Sequence, residues 1–239
     1  KFHLEESARQ FRGVIQMNPG SRQAEQAANL ILDSFVLTEN YDALKENAKF
    51  FYDQEGLGSR SFKTEVYGIY QRASLKVIED AFAESQAHAA TADAYLEFAE
   101  EFPESEENAR ILNNATIYYR EANQPADVMR VRHILIDDPR FGDKTKYYYD
   151  QLGALGFDYE DQANFDRAAF YYETLFSLYP DRRDELSEAD EVDADAIATL
   201  DDGASNAIYR AALFRQALGQ EQQSVANFQQ FIATFPDHP

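Results

Sequence analysis

The chain has 239 residues and no cysteine, so it can bury a substantial core but has neither a disulfide framework nor a thiolate metal site. Its 43 acidic and 22 basic residues give a formal net charge of −21, which makes nucleic acid and anionic lipid poor partners. No apolar run in the sequence is long enough to span a bilayer. The small number of glycines (10) and prolines (7) predicts long elements, and therefore helices.

The helices are expected in pairs along the chain. A first helix at residues 4–18 has no upstream partner and is ended by Pro19. Five pairs follow, at residues 22–37 and 41–54, 61–86 and 90–102, 106–122 and 125–137, 145–162 and 164–179, and 204–218 and 221–235. We expect Asn123 to cap the helix that starts with Pro125, and Gly219 to form a left-handed turn in the last pair.

The second helix of each pair repeats one apolar pattern and then meets a proline. YLEFAEEFP ends at Pro103 and FQQFIATFP ends at Pro236. The apolar positions before each proline lie along one stripe of a helix, which the proline then stops. Pro19, Pro139 and Pro180 follow the same scheme, and Gly56 takes the place of proline in one unit. The pattern predicts about six repeats of roughly 35 to 45 residues.

One unit shows the repeat in most detail. Its pattern is formed by Leu152, Leu155, Gly156, Tyr159, Ala168, Tyr172, Leu175 and Pro180. This order resembles the tetratricopeptide repeat, whose signature is W-x2-L-G-x2-Y, then A-x3-F, then P. Gly156 would let the second helix lie close to the first, whereas Arg215 replaces the signature tyrosine in the last unit. The resemblance implies an all-α fold, a right-handed α-helical solenoid of about six stacked helix-turn-helix repeats.

The predicted repeat boundaries leave one long interruption. After a half repeat at residues 1–20, the repeats are expected at 21–58, 59–104, 105–140, 141–180 and 203–239. The ten acids of residues 181–202 predict a solvated insertion, partly mobile or with a short extra helix. A calcium loop there does not fit the EF-hand pattern, because no central glycine follows Asp193 and Asp195. The first and last helices lack covering partners, so we expect the natural protein to continue in both directions.

The sequence contains no recognisable catalytic or metal-binding motif. His3, His88, His133 and His238 are widely spaced and fall in different units, which argues against a shared zinc site. Neither a P-loop nor a nucleophile elbow nor a dinucleotide-binding motif is present. We therefore expect no catalytic residues, no metal and no cofactor. An enzyme whose catalytic residues lie in flanking regions is the alternative.

The resemblance implies that positions 2, 5, 9 and 12 of each repeat line a concave face that binds a partner. Counting back from Gly56, Pro139, Pro180 and Pro236 gives the predicted partner-binding residues: Asn29, Asp33, Val36, Leu112, Thr116, Tyr119, Asp150, Phe157, Glu160, Tyr209, Leu213 and Gln216. This mixed apolar and acidic surface favours a protein or peptide partner that is neutral or basic and carries apolar anchors. The lysine and asparagine side chains that grip a carboxylate in co-chaperone repeats are not found at these positions in the last three units.

The predicted function is a non-enzymatic protein-interaction scaffold. The endings EFAEEFP and QFIATFP resemble those of bacterial cell-envelope tetratricopeptide proteins, and residues 20–140 are similar to gliding-motility-associated members from myxobacteria and predatory bacteria. That resemblance implies a location in the periplasm or at the outer membrane of a Gram-negative bacterium. The alternatives are an accessory subunit of an outer-membrane assembly complex and the interaction module of a larger enzyme.

Overall fold

A computed structural model of the chain describes residues 2–141, 146–189 and 191–236, and all regular structure in these ranges is α-helical. The chain divides into two compact units, Lys1–Asn108 and Ala109–Pro239. The first unit contains α1 (Phe2–Met17), α2 (Arg22–Leu37), α3 (Tyr41–Asp53), α4 (Arg60–Ser85) and α5 (His88–Glu101). The second contains α6 (Asn108–Glu121, starting at the unit boundary), α7 (Pro125–Asp137), α8 (Lys146–Asp161), α9 (Phe165–Ser187), α10 (Ala194–Ala217) and α11 (Glu221–Thr234). The predicted all-α class is confirmed.

Helices that follow one another in sequence pack against one another within each unit. In the first unit each of the helices α1 to α4 contacts the next, and in the second unit the same holds from α7 to α11. α7 contacts α6 through Arg130, whose guanidinium lies 5.8 Å from the centre of the Tyr119 ring. The helical-repeat architecture expected from the sequence is therefore confirmed. The exact repeat boundaries stay a prediction.

Side-chain hydrogen bonds satisfy the backbone groups at several helix ends of the first unit. The side chains of Ser21 and Ser59 accept hydrogen bonds from backbone N–H groups in the first turns of α2 and α4. At the C-terminal end of α3, Lys63 Nζ donates to the carbonyl oxygens of Phe51, Tyr52 and Gln54 at 2.6–2.7 Å. This lysine satisfies carbonyls that the end of α3 leaves without helical partners.

The core of the second unit depends on a close approach between α8 and α9. Leu152 and Leu155 of α8 are buried with Tyr172 and Leu175 of α9. A Cβ added to Gly156 would overlap the Tyr172 ring. The sequence prediction that Gly156 permits this contact is confirmed.

The predicted helix stop at Pro180 is wrong. α9 continues through this proline to Ser187, and α10 begins at Ala194 rather than at residue 204. Residues 181–187 and 194–202 therefore lengthen two neighbouring helices instead of forming a separate insertion. Arg183 pairs with Asp201 at 3.0 Å, and Leu186 packs on the cluster that contains Leu200. These contacts between the two extensions keep α9 helical beyond a residue that lacks a backbone N–H.

The predicted apolar stripe is covered in some second helices and partly open in the last. Tyr95 and Phe98 of α5 are buried, as are Tyr172 and Leu175 of α9. In α11, Val225 and Ile232 are exposed. The same pattern therefore marks a buried face in the interior hairpins and a partly covered face on α11, where Phe231 and Phe235 pack on the cluster that contains Leu200.

Candidate partner-binding surface

The turns inside four hairpins share one backbone structure. Glu39, Asn123, Ala163 and Gly219 each adopt positive φ, between 52° and 73°. At each turn this residue donates its N–H to the carbonyl three residues back, and the next residue donates to the carbonyl five residues back. These paired bonds form a Schellman motif that closes the first helix of the hairpin. Gly219 thus has its predicted conformation.

The predicted capping role of Asn123 is wrong. Asn123 is the left-handed residue that ends α6, and Gln124 is the residue at the N-cap of α7, where it makes no side-chain capping bond. Asparagine tolerates the left-handed conformation better than most residues, which explains its place in the turn. Pro125 does occupy the first turn of α7, as expected.

Alignment on the four left-handed residues places equivalent positions of the first helices side by side. These positions are Gln26, Asn29, Asp33 and Val36 on α2; Arg110, Asn113, Ile117 and Arg120 on α6; Asp150, Gly153, Phe157 and Glu160 on α8; and Asn206, Tyr209, Leu213 and Gln216 on α10. Each of these residues is exposed or half-buried. The structure therefore defines a solvent-facing row on each of these four helices.

Nine of the twelve predicted binding residues belong to these rows. Asp33 and Val36 are exposed and Asn29 is half-buried, all three in the first unit. In the second unit, Glu160 is half-buried, and the other five are exposed: Asp150, Phe157, Tyr209, Leu213 and Gln216. Their role in binding stays a prediction.

The prediction of a binding surface is wrong for the three residues on α6. Leu112, Thr116 and Tyr119 are only 1 to 6% exposed, so they are closed to a partner. The prediction counted back from Pro139, which stands one residue closer to its left-handed turn than Pro180 does. A shift of one residue rotates a helical position by about 100°, which exchanges an exposed face for a buried one.

The correct α6 residues were missed for the same reason. Ile117 takes the place of Thr116, and the charged residues Arg110 and Arg120 enter the row. A count back from the Asn-Gln-Pro turn at residues 123–125, instead of from the following proline, would have found them.

The three rows of the second unit are tied together by polar contacts between first helices. Gln151 Nε2 of α8 donates to Asn113 Oδ1 of α6 at 2.9 Å. Arg210 of α10 pairs with Glu160 of α8 at 2.6 Å. α6, α8 and α10 therefore lie next to one another, and their rows form one surface. We call the exposed apolar residues Ile117, Phe157, Tyr209 and Leu213 the first-helix patch.

This surface carries less free negative charge than the sequence predicted. Glu160 pairs with Arg210 and also accepts a hydrogen bond from Tyr172 at 2.9 Å. Burial raises the pKa of Tyr172, and the hydrogen bond to Glu160 raises it further. The Glu160 carboxylate is thus committed to two internal partners, and it holds α8 against α10 rather than standing free for a ligand.

The arginine that departs from the repeat signature has a defined structural role. Arg215 is buried on α10 and makes two hydrogen bonds of 2.6 and 2.8 Å to Glu173 of α9. It also pairs with Asp166 at 2.7 Å, while Asn227 of α11 donates to the same glutamate. This network links α9, α10 and α11 at the position where the signature has a tyrosine.

The described residues give no sign of a metal centre or of a membrane span. Among them, no three histidine, aspartate or glutamate side chains are grouped closely enough to hold a metal ion. No helix in the described part of the chain combines the length and the hydropathy that a bilayer crossing requires. His238 lies outside the described residues.

Comparison with known proteins identifies one repeat directly. Residues 206–238, which span the second half of α10 and all of α11, match the model of a tetratricopeptide repeat family. A comparison with curated proteins finds no match. Among solved structures, the crystal structure of BtubC (BKLC) from P. vanneervenii aligns over 99% of this chain and 91% of that chain, at 13% identity and a TM-score of 0.38. The last hairpin of the chain is thus similar to a tetratricopeptide repeat, which supports the relation to that superfamily predicted from the sequence.

Proposed function

We propose that the chain is a non-catalytic protein-interaction module that binds a peptide segment of a partner across the first-helix patch. The carrying observation is that equivalent positions of three successive first helices hold Ile117, Phe157 and Leu213, which are 40, 53 and 40% exposed. Large apolar side chains at regular intervals on one surface favour contact with another protein. Tetratricopeptide repeats are in general protein-interaction modules, which supports the proposal.

The packing of the second unit suits this role. The three helices that carry the patch are fixed to one another by the Asn113–Gln151 and Glu160–Arg210 contacts. A surface that is already ordered loses little conformational entropy when a partner binds. The partner would supply apolar anchors for Phe157 and Leu213, and the net charge of −21 favours a neutral or basic partner.

Photo-crosslinking tests the location of the binding surface. A photoreactive phenylalanine analogue at position 157 is compared with the same analogue at position 170, on α9. The wild-type phenylalanines have nearly equal exposure, 53 and 55%, so non-specific capture is matched. We expect extracts of the source organism to give a discrete crosslinked partner from position 157 and none from position 170. Equal capture at both positions would refute the proposed surface.

Affinity measurements with the recovered partner test the same proposal energetically. Phe157→Glu places a charge in the patch, so we expect it to weaken binding at least about tenfold, as loss of a central apolar anchor does. Phe170→Glu is the control and should leave the dissociation constant within about twofold. Both variants should keep the wild-type helical content because both side chains are exposed.

The cellular setting is a separate part of the proposal. We infer a role in the envelope of a Gram-negative bacterium, within a motility or envelope-spanning assembly, on the basis of the resemblance of residues 20–140 to gliding-motility-associated proteins. Fractionation of the source cell tests this inference. Recovery of the native protein with the cytoplasmic fraction would refute it, while leaving peptide binding by the first-helix patch intact.

A further inference from the structure

A tyrosine, a histidine and an aspartate form a hydrogen-bonded chain where α7 meets α8. The Tyr159 hydroxyl of α8 lies 2.9 Å from His133 Nε2 of α7. The other ring nitrogen, Nδ1, lies 3.3 Å from Asp137 Oδ2, about one helical turn further along α7. A hydroxyl, a base that can take its proton and a carboxylate that orients the base are together the parts of an activated nucleophile.

The carboxylate decides where neutral His133 carries its proton. An ionised carboxylate can only accept hydrogen bonds, so Asp137 favours the tautomer with the proton on Nδ1. His133 Nε2 then has a free lone pair, and it accepts the hydrogen bond that the Tyr159 hydroxyl donates. The phenolic proton therefore points at a base that can remove it.

Arg167 of α9 supplies a positive charge at the same oxygen. Its Nη1 donates to the Tyr159 hydroxyl oxygen at 3.4 Å, and its guanidinium lies 5.5 Å from the centre of the Tyr159 ring. A guanidinium at this place stabilises the negative charge that develops on the phenolic oxygen when the proton leaves. Arg167 and Asp137 are exposed, and the hydrogen bond from Arg167 to Tyr159 lies at the surface. An electrophile can therefore reach the hydroxyl from solvent.

Three other tyrosines of the second unit are less suited to attack an electrophile. Tyr172 and Tyr179 each donate their hydroxyl proton to a carboxylate. Burial raises the pKa of both and the carboxylate raises it further, to about 12 for Tyr179, so the phenolate form is disfavoured. Tyr171 stacks on the Tyr159 ring at 5.5 Å but is only 5% exposed. Only Tyr159 of these four combines an accessible hydroxyl with a neutral base and a cation.

The geometry points to Tyr159 as a nucleophile that accepts an acyl group from an activated ester. The phenolic oxygen attacks the carbonyl carbon while its proton passes to His133 Nε2. The bond from that carbon to the leaving group then breaks, the leaving group departs with the electron pair, and His133 releases the proton to water. The product is an aryl ester on Tyr159, so the reaction is a stoichiometric modification of the chain. It does not depend on the peptide proposed to bind the first-helix patch.

Acetylation by 4-nitrophenyl acetate tests this site. The absorbance of released 4-nitrophenolate follows the reaction, and peptide mass spectrometry gives the rate at each tyrosine. Tyr209 is the control within the same molecule, because it is 44% exposed and therefore more accessible than the half-buried Tyr159. We expect acetylation of Tyr159 to be at least about tenfold faster than that of Tyr209, since a positioned general base accelerates attack. Equal or slower acetylation of Tyr159 would overturn the proposal.

Two variants test the base and the carboxylate that orients it. His133→Gln keeps a hydrogen-bonding side chain but removes the base, so the rate at Tyr159 should fall to that at Tyr209. Asp137→Asn removes the charge that selects the tautomer and should lower the rate at Tyr159 while leaving that at Tyr209 unchanged. His88→Gln, at a half-buried histidine of the first unit, is the matched control and should change neither rate. Thermal melts establish that each variant is folded, and an unchanged ratio of the two rates in His133→Gln would refute the role of the base.

Discussion

At the scale of single residues, two glycines within helices have opposite surroundings. Gly156 faces the Tyr172 ring so closely that an added Cβ would overlap it, whereas Gly203 faces open space. Glycine lowers the stability of a helix relative to alanine because of its conformational freedom. The close contact is therefore the reason why glycine is favoured at position 156.

We expect Gly156→Ala to destabilise the protein by about 1–3 kcal/mol, because overpacking outweighs the gain in helix propensity. Gly203→Ala is the control with the same chemical change, and it should stabilise by up to about 1 kcal/mol. Urea unfolding followed by circular dichroism measures both. A stabilising Gly156→Ala would contradict the packing described for α8 and α9.

The Arg215 network gives a second prediction at this scale. Arg215→Leu removes the cation from a buried site and leaves Glu173, which is about three-quarters buried, without its main partner. We expect a loss of about 2–4 kcal/mol, somewhat below the full cost for a completely buried pair.

The double variant Arg215→Leu with Glu173→Leu removes both charges. It should be less destabilised than the sum of the two single variants, because neither charge is left unpaired. Additive effects in this cycle, measured by urea unfolding, would show that the two side chains are not coupled.

These residues also show which features of the structure could be predicted from the sequence and which could not. The pattern of Leu152, Leu155, Gly156 and Tyr172 was sufficient to predict the hairpin and the close contact inside it. Arg215 was visible only as a departure from the signature, because its partners lie 42 and 49 positions away in sequence. Leu112, Thr116 and Tyr119 were misplaced because exposure on a helix changes completely over one position, and the proline count was one residue in error.

At the scale of elements, α9 is the helix that sequence rules describe least well. A proline normally stops a helix, yet Pro180 lies inside α9 because the next two turns are held against α10 by Arg183 and Leu186. Local propensity is therefore overridden by tertiary packing. The sequence of residues 181–202 is strongly acidic, which masked its helical content.

This interpretation predicts the effect of replacing the proline. Pro180→Ala restores a backbone N–H within a continuous helix, so we expect an increase in stability of about 1–3 kcal/mol. Pro103→Ala is the control: Pro103 follows the end of α5, outside a helix, and its substitution should be neutral or slightly destabilising. The measurement is the midpoint of urea unfolding. A destabilising Pro180→Ala would indicate that α9 is not continuous through this position.

At the scale of the whole molecule, the dominant property is charge. Even if each of the 22 basic residues paired with one acidic residue, 21 of the 43 acidic residues would stay unpaired, and unbalanced charge of one sign opposes the compact state. Dissolved salt screens repulsion between surface charges that are separated by more than about 8–10 Å at physiological ionic strength. The salt bridges that hold α8 to α10 and α9 to α10 are much shorter than this screening length and are partly buried. Salt therefore screens them less than it screens the repulsion between surface charges.

We therefore expect added sodium chloride to raise the melting temperature. The increase should level off once the screening length falls below the spacing of the surface carboxylates. Sucrose at matched osmolality is the control for general solvent effects. A melting temperature that falls as salt is added would mean that attractive ion pairs outweigh the repulsion.

The four left-handed turns have a consequence for how such a chain can change in length. Each turn fixes the rotational setting of the helix that precedes it, whatever happens at the opposite end of the hairpin. The extra length of α9 and α10 lies at the helix ends that are remote from these turns, and Glu160 of α8 still meets Arg210 of α10 at 2.6 Å. Longer helices at the open ends of the hairpins add new surface there, while the rows on the first helices, which the turns align, keep their register.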